Sequence, residues 1–265
     1  MTDHAVELYG MVFDDLIELC SSLTPEQWDL ETDCPGWSVK DNISHLNGIE
    51  SMLLGRPAPD HEVEPKPWIR NPVGASNEVP VDYRRPWPPS KVLEEFREIA
   101  SERMKALSAL TDEDLAAESW TPIGPGTLRD LLNIRVMDFW VHEQDIRRAV
   151  DKPGGLDTPV AAHAFGRHRT AIPFVVGKKA GAPDGTTVVV EVAGQEPFGV
   201  RVDGKRAGLT DALPQDPDVR LSMDLDTFNR LCTGRGDPEP LKRNVAVEGD
   251  AELGARILDQ INFMI

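Results

Sequence analysis

The chain has 265 residues, of which 40% are hydrophobic, so it can bury an ordinary core in one large domain or two smaller ones. Its 45 acidic and 28 basic residues give a formal net charge of -17, and a field of that sign repels phosphate backbones and anionic membrane surfaces. We therefore expect neither a nucleic-acid partner nor association with a membrane.

The cysteines and the amino-terminal stretch indicate the compartment. Cys20, Cys34 and Cys232 are few, odd in number and scattered, which argues against a disulfide framework and is typical of a reducing environment. The first residues carry acidic groups within an apolar stretch and lack the basic start of a signal peptide. No run of about 18 apolar residues predicts a membrane span. We expect a cytoplasmic protein.

Three amphipathic helices are predicted in the first 110 residues. The first covers residues 5–23, the second runs from about 38 to 54, and the third follows Ser90. In each of them apolar residues recur every three or four positions. Ser38 is the natural N-cap of the second helix, with Asp41 as its acidic partner three residues later.

A proline-rich segment, residues 55–89, separates the second helix from the third. It shows neither helical nor strand periodicity, and an irregular segment of this length inside a domain is usually functional or disordered. Trp68, Tyr83 and Trp87 offer apolar anchors. We therefore expect a folded excursion that packs over the mouth of a site and influences the choice of substrate.

The stretch from Leu128 to Val150 predicts a fourth helix, with Thr127 as its N-cap. Asp138 and His142 are four residues apart, so their side chains lie on one helical face and could hold a single metal ion. A solvated or hydrogen-bonded pair is the commoner explanation of this spacing when it is considered alone.

His45 lies beside the apolar face of the second helix. A lone histidine there is more often a hydrogen-bonded core residue than a ligand. Within a four-helix bundle, however, His45, Asp138 and His142 would supply two imidazoles and one carboxylate from adjacent helices. That is the ligand set of an open divalent site, whose fourth position is left to water or substrate.

The periodicity changes from 3.6 to 2 after Gly185. A fifth helix is predicted before this point, and strands alternate with turn signals after it. The predicted elements are a helix at 159–177, strands at 186–193, 197–204, 218–224 and 244–249, and helices at 226–232 and 251–264. A helical half followed by a strand-rich half predicts an α+β protein with two domains, residues 1–152 and 153–265.

The motifs that carry a resemblance are CPGWSVKD at 34–41, ISHL at 43–46, FWVH at 139–142 followed by Asp145, GR at 234–235 and VEGD at 247–250. The first two resemble the opening of the second helix in the mycothiol-dependent maleylpyruvate isomerase family, which is part of the wider DinB-like metalloenzymes. The third is similar to the fourth-helix motif of that family, and the last two resemble its second domain. The resemblance spans nearly the whole chain.

This resemblance implies a DinB-like four-helix bundle followed by a smaller α/β domain similar to sterol-carrier folds. It implies metal ligands at His45, Asp138 and His142, with Asp138 standing where the family has a Glu that is one methylene longer. Arg235 corresponds to a functionally important arginine of the second domain and is the candidate catalytic residue. A surface arginine that follows a glycine C-cap is the alternative for this position.

The implied cofactors are a divalent metal, with zinc as the first choice, and a small thiol, with mycothiol as the first choice. In the family a metal-bound thiolate adds to the double bond of maleylpyruvate, and rotation and elimination follow; related members transfer the sulfur to an electrophile. We expect an isomerase or thiol S-transferase for a small electrophilic substrate. The alternative is a non-catalytic protein that binds a metal, or a small apolar ligand in its carboxy-terminal domain. A monomer and a homodimer are both compatible with the sequence.

Overall fold

Six α-helices build the amino-terminal unit of the computed structural model, which describes residues 3–264. They are α1 (His4–Ser21), α2 (Val39–Leu53), α3 (Pro72–Arg84), α4 (Pro89–Leu107), α5 (Asp112–Ala116) and α6 (Leu128–Ala149). Helix α1 packs against α4 and α6, and α2 packs against α3, α4 and α6. A short antiparallel hairpin, β1 (Glu118–Thr121) and β2 (Gly124–Thr127), leads into α6. This unit ends at Gly155, and the second unit comprises Leu156–Met264.

Aromatic side chains fill the centre of the bundle. The ring centroid of Phe13 on α1 lies 5.1 Å from that of Phe139 on α6 and 5.6 Å from that of Phe96 on α4. All three side chains are buried, and truncating one such residue to Ala typically costs about 3–5 kcal/mol. This packing fixes α6 against α1 and α4, and α6 carries two of the three predicted metal ligands.

Local capping interactions set the starts of α2 and α6. Ser38 Oγ accepts from the backbone N–H of Asp41 at 3.2 Å, and the Asp41 carboxylate accepts from the N–H of Ser38 at 3.0 Å. Thr127 and Asp130 form the same reciprocal pair at α6, at 3.1 and 2.9 Å. Such boxes satisfy backbone donors within four residues. The two helix starts predicted from the sequence are therefore confirmed.

The prediction that residues 55–89 lack regular structure is wrong where α3 forms. The side chain of Asn71 caps this helix by accepting from the N–H of Gly74 at 2.8 Å, and Pro72 occupies the first turn, where a missing N–H costs nothing. Pro80 inside the helix weakens the sequence signal, but its ring packs against Gly48 of α2. A Cβ added to Gly48 would lie 2.3 Å from the Cβ of Pro80. Packing against α2 thus outweighs the poor helical propensity.

A five-stranded sheet and four α-helices form the described part of the second unit. The elements are α7 (Pro159–Phe174), β3 (Thr187–Val192), β4 (Phe198–Asp203), β5 (Arg206–Thr210), β6 (Val219–Met223), α8 (Leu225–Thr233), α9 (Pro238–Lys242), β7 (Ala246–Gly249) and α10 (Ala251–Gln260). The strand order is β5-β4-β3-β6-β7, with β3 and β6 parallel and the other neighbours antiparallel. A helical unit followed by a sheet-containing unit confirms the predicted α+β class. None of the described helices combines the length and the apolar character needed to cross a bilayer.

Strand β5 is absent from the sequence-based prediction. Among the described strands it pairs only with β4, at the edge of the sheet, with Val200 opposite Leu209. All of its residues keep some exposure, and Leu209 is 41% exposed. A strand that buries neither face lacks the alternation of apolar and polar residues by which strands are recognised in a sequence.

Candidate metal centre

Three side chains from two helices meet inside the first unit. The ligand atoms of His45 on α2 and of Asp138 and His142 on α6 all lie within 4.8 Å of one another. Nε2 of His45 is 3.4 Å from Oδ2 of Asp138, and Nε2 of His142 is 3.7 Å from Oδ1 of the same carboxylate. Both histidines are buried, whereas the Asp138 side chain retains 18% exposure. The structure therefore brings together the three residues predicted as ligands.

The helical spacing and the packing of α2 on α6 produce this arrangement. Asp138 and His142 are one helical turn apart, so their side chains lie one above the other on α6. His45 reaches them because its helix packs on α6 next to the buried residues Ile43 and Leu46. The two imidazole centroids are 4.9 Å apart. Both rings thus border the same carboxylate.

Asn42 fixes the orientation of the His142 ring. Its amide nitrogen donates to Thr32 Oγ1 at 3.1 Å and to the carbonyl oxygen of Ser38 at 2.8 Å. The amide oxygen must then face His142, whose Nδ1 lies 2.6 Å away and donates to it. The proton on Nδ1 leaves the lone pair of Nε2 directed towards Asp138, which is the tautomer that a metal ligand requires.

His45 is held in its neutral form. Burial lowers the pKa of His45 to about 4, and the neighbouring His142 and Arg135 act in the same direction, while Asp138 opposes them. A neutral imidazole has a free lone pair for a metal ion. Its Nδ1 is buried without a hydrogen-bond partner among the described residues. Nε2, which lies 3.4 Å from Oδ2 of Asp138, is the ring nitrogen placed to act as a ligand, with its proton carried on Nδ1 when an ion is bound.

Asp138 remains ionised despite its surroundings. Burial alone would raise its pKa, but the charge of Arg135 and the hydrogen bond with His45 are among the interactions that outweigh burial and hold the pKa of this carboxyl well below its usual range. Nη1 of Arg135 donates to Oδ2 of Asp138, one turn away on the same helix. The carboxylate can thus contribute a full negative charge to a bound cation.

A buried charge network lies behind Asp138. Nε of Arg135 donates to Glu50 at 3.0 Å, and the fully buried Glu50 also accepts from Nε of Arg103 at 2.7 Å and from the hydroxyl of Tyr9 at 2.9 Å. Two guanidinium groups and two carboxylates balance one another, so no charge in this network is left without a partner. The network fixes Arg135, and through it the position of the Asp138 carboxylate.

Trp37 covers one side of the two imidazoles. Its ring centroid lies 5.0 Å from that of His45 and 5.8 Å from that of His142, and the planes of Trp37 and His142 are inclined by only 27°. The indole is 8% exposed, and its Nε1 donates to Glu78 of α3 at 2.9 Å. The sequence predicts Trp37 as a core anchor of its turn, but it does not reveal these partners, which are distant along the chain.

A second group of possible ligands lies next to the first. Atoms of Cys34, His142 and Asp145 also fall within 4.8 Å of one another. In this group Nδ1 of His142 already donates to Asn42, and Asp145 is paired with Arg148 at 2.6 Å. These partners compete with a cation, so the group of His45, Asp138 and His142 is the better match to a divalent ion.

Arg235, the predicted catalytic residue, belongs to the second unit. It follows Gly234, the left-handed C-cap of α8, and its own N–H bonds to the carbonyl oxygen of Arg230 at 2.9 Å. Nη1 of Arg235 donates to the carbonyl oxygen of Thr233 at 3.2 Å. Its catalytic role stays a prediction.

The residues of the first unit fit a divalent metal. Two buried imidazoles, one with its tautomer set by Asn42 and one kept neutral by burial, face a single ionised carboxylate. Two nitrogens and one oxygen are the donor set of zinc sites that keep a position open. The donors thus agree with the ligand set that the family resemblance implies.

Comparison with known proteins identifies the family. Residues 11–147 match the model of the mycothiol maleylpyruvate isomerase N-terminal domain, and residues 162–256 match the model of the carboxy-terminal domain of the same proteins. No curated protein matches the chain significantly.

Two solved structures share the fold. A crystal structure of a His→Ala mutant of the mycothiol-dependent maleylpyruvate isomerase is 15% identical, with a TM-score of 0.57, and the alignment covers 92% of this chain and 91% of that one. A crystal structure of the mycothiol-dependent maleylpyruvate isomerase is 17% identical, with a TM-score of 0.53 and the same coverage. At such identities these two likenesses concern the fold alone. The two family models cover most of the chain, which therefore belongs to the mycothiol maleylpyruvate isomerase family, a family of enzymes.

Proposed function

We propose that this protein is a metal-dependent enzyme that uses a small thiol, with mycothiol as the first choice, to isomerise or to add sulfur to a small electrophilic substrate. His45, Asp138 and His142 would hold the divalent ion, for which zinc is the first choice. The observation that carries the proposal is the meeting of these three ligand atoms within 4.8 Å in a chain of this family.

The residues around the site have separate tasks in this proposal. A divalent ion held by His45, Asp138 and His142 would lower the pKa of a thiol bound to it and so supply a thiolate nucleophile at neutral pH. His45, which burial keeps neutral, and His142 would each present Nε2 to the ion, and Asn42 accepts the proton on Nδ1 of His142. Arg135 holds the carboxylate of Asp138 in place. These groups would determine the position of the ion and the charge of its ligands.

The mostly buried setting of the site supports the same chemistry. His45 and His142 are each 4% exposed, and Trp37 closes one side of both rings. Electrostatic interactions are stronger where water is excluded, and a reactive thiolate is protected from side reactions there. The partly exposed Asp138 marks the side from which a small molecule could reach the ligands.

The deciding experiment is a turnover assay with the metal and the thiol supplied separately. The protein, stripped with a chelator, is tested on a cis-unsaturated acid such as maleylpyruvate with zinc alone, with mycothiol alone and with both. We expect turnover only with both. Full activity of the stripped protein would overturn the proposal, and metal binding without any thiol-dependent turnover would favour the non-catalytic alternative.

Arg235 is tested in the same assay. If it has the catalytic role that the resemblance implies, Arg235→Ala should lower turnover while the metal content stays at the level of the unmodified protein. Unchanged turnover would assign Arg235 to the surface.

A further inference from the structure

Glu78 is a buried carboxylate in α3, inside the segment 55–89, and the proposed metal site does not use it directly. It is 1% exposed. Its Oε2 accepts from Nε1 of Trp37 at 2.9 Å and from Nε1 of Trp68 at 3.0 Å, and its Oε1 forms an ion pair with Nη1 of Arg85 at 2.7 Å. One carboxylate oxygen therefore holds two indole rings.

The indole of Trp68 packs on the turn that precedes Trp37. Gly36 has a φ of +76°, in the left-handed region, and a Cβ added to it would lie 2.3 Å from the ring of Trp68. The Trp68 ring thus lies directly on the backbone of residue 36. Trp68, which precedes α3, thus contacts the backbone before Trp37, and Glu78 of α3 holds the N–H edge of its indole.

The indole of Trp37 transmits this constraint to the imidazoles. It lies 5.0 Å from the ring of His45 and 5.8 Å from the ring of His142, measured between centroids. Its N–H bond to Glu78 restrains rotation of the indole about its side-chain bonds. Without this acceptor a buried N–H would lose its partner, and the indole would turn to find another one.

We propose that Glu78 is a positioning residue for the two histidines, and that it acts through the indole N–H of Trp37. In the folded protein it keeps the indole face against His45 and His142, so that both Nε2 atoms point to the position between them. Its effect on metal affinity rests on the proposed function, whereas its effect on the imidazole rings does not require a metal.

Three full-length variants test this role. Glu78→Leu removes the acceptor. Glu78→Gln retains an oxygen that can take the place of Oε2, and so should behave like the unmodified protein. Asp82→Asn is the matched control, because Asp82 lies one turn further along α3 and also pairs with Arg85, but Trp37 and Trp68 donate to Glu78 instead.

The first measurement uses metal-free protein. Histidine-labelled samples give imidazole NMR signals, which single His45→Gln and His142→Gln variants assign. Because the aromatic ring of Trp37 shifts nearby resonances, Glu78→Leu should move the signals of both histidines. Glu78→Gln and Asp82→Asn should leave them in place.

The second measurement is a titration with Co²⁺, whose absorption reports the geometry of its ligands. We expect Glu78→Leu to weaken Co²⁺ binding about tenfold or more, as is usual when support behind metal ligands is lost. Glu78→Gln should bind Co²⁺ with the affinity of the unmodified protein. Adding Glu78→Leu to a Trp37→Phe background should then change little, because the N–H through which Glu78 acts is already gone.

The outcomes separate this inference from the proposed function. Unmodified protein that binds no Co²⁺ would overturn the metal site, and the NMR signals alone would then decide the role of Glu78. Unchanged imidazole signals in Glu78→Leu would overturn the positioning role. If Glu78→Leu does not fold, Trp37→Phe takes its place, and unshifted His45 and His142 signals in the Trp37→Phe protein would overturn the role equally.

Discussion

Nδ1 of His142 donates to the amide oxygen of Asn42 across 2.6 Å, and these two residues stand 100 positions apart in the chain. The bond connects the first turn of α2 with the face of α6 that carries the proposed ligands. It also selects the tautomer of His142, because the amide nitrogen of Asn42 is occupied by Thr32 and Ser38. Metal ligands are often oriented by such a partner behind them.

The first prediction concerns this bond. Asn42→Leu should lower zinc affinity about 10- to 100-fold, the usual effect of removing a partner that orients a metal ligand. Asn42→Asp keeps an acceptor for Nδ1 of His142 and should lower zinc affinity by a smaller factor. Competitive titration of zinc against a chromogenic chelator measures both constants. Equal affinities in Asn42→Leu and the unmodified protein would show that His142 needs no such support.

Metal content is the second prediction. The purified protein should carry about one equivalent of a divalent metal, as expected for one three-ligand site, and His45→Ala or His142→Ala should remove most of it. His4→Ala is the control, because the side chain of His4 is 73% exposed at the start of α1. Elemental analysis gives the stoichiometry. Full occupancy in the double variant of His45 and His142 would refute the assignment.

The third prediction uses the carboxylate length at position 138. Asp138→Glu introduces the residue that the resemblance implies at this position and should keep the metal, because a carboxylate remains opposite the two histidines. Asp138→Asn should bind it much more weakly. The amide lacks the charge, and Arg135 would lose the partner that balances it. If zinc titration showed that the Asp138→Asn protein binds zinc and the Asp138→Glu protein does not, Asp138 would not be a metal ligand.

The sequence predicts the parts of this site that depend on local signals. The capping pairs at Ser38 and Thr127 and the one-turn spacing of Asp138 and His142 each lie within four residues, so the two helices and the face of α6 that carries two proposed ligands could be predicted. His45, the third proposed ligand, came from the expected packing of adjacent helices in a four-helix bundle and from the resemblance of the motif around it.

The remaining parts of the site depend on contacts between distant segments. Asn42 and Glu78 are polar residues in helices, and only the packing of α2 on α6 and on α3 shows what they touch. The prolines of residues 55–89 predict an irregular segment, and α3 was missed because the packing of Pro80 on Gly48 cannot be inferred from local propensity. Periodicity reports which face is buried, but it does not report the partner of a buried polar group.

The fourth prediction is a loss of stability of the second unit in acid. Burial lowers the pKa of His168 to about 4, although a bond to Asn229 opposes this shift. Above the unfolded pKa of 6.5 the residue is neutral in both states, and it makes no pH-dependent contribution to the free energy of unfolding. As the pH falls from 6.5 towards 4, the unfolded chain binds a proton that the folded chain refuses, so the free energy of unfolding decreases.

The size of the effect follows from the shift. Between about pH 7.5 and about pH 5 the loss due to His168 should be about 2 kcal/mol, at 1.36 kcal/mol for each pKa unit. His168→Gln should show a correspondingly smaller loss, while His4→Gln should behave like the unmodified protein. Urea unfolding of the full chain at the two pH values measures this difference. Parallel losses in the unmodified protein and in His168→Gln would contradict the assignment.

The fifth prediction is that thiol binding depends on the metal. In the proposed function the open position of the ion takes a sulfur, so zinc-loaded protein should bind mycothiol and release about one proton per thiol near neutral pH, where a free thiol with a pKa of about 8.5 is mostly protonated. Calorimetric titration in two buffers that differ in ionisation enthalpy counts these protons. The metal-stripped protein and the His45→Ala, His142→Ala double variant should bind mycothiol far more weakly and release no proton. Proton release without metal would assign the thiol to another group of the protein, and an absence of binding at millimolar thiol would favour the non-catalytic alternative.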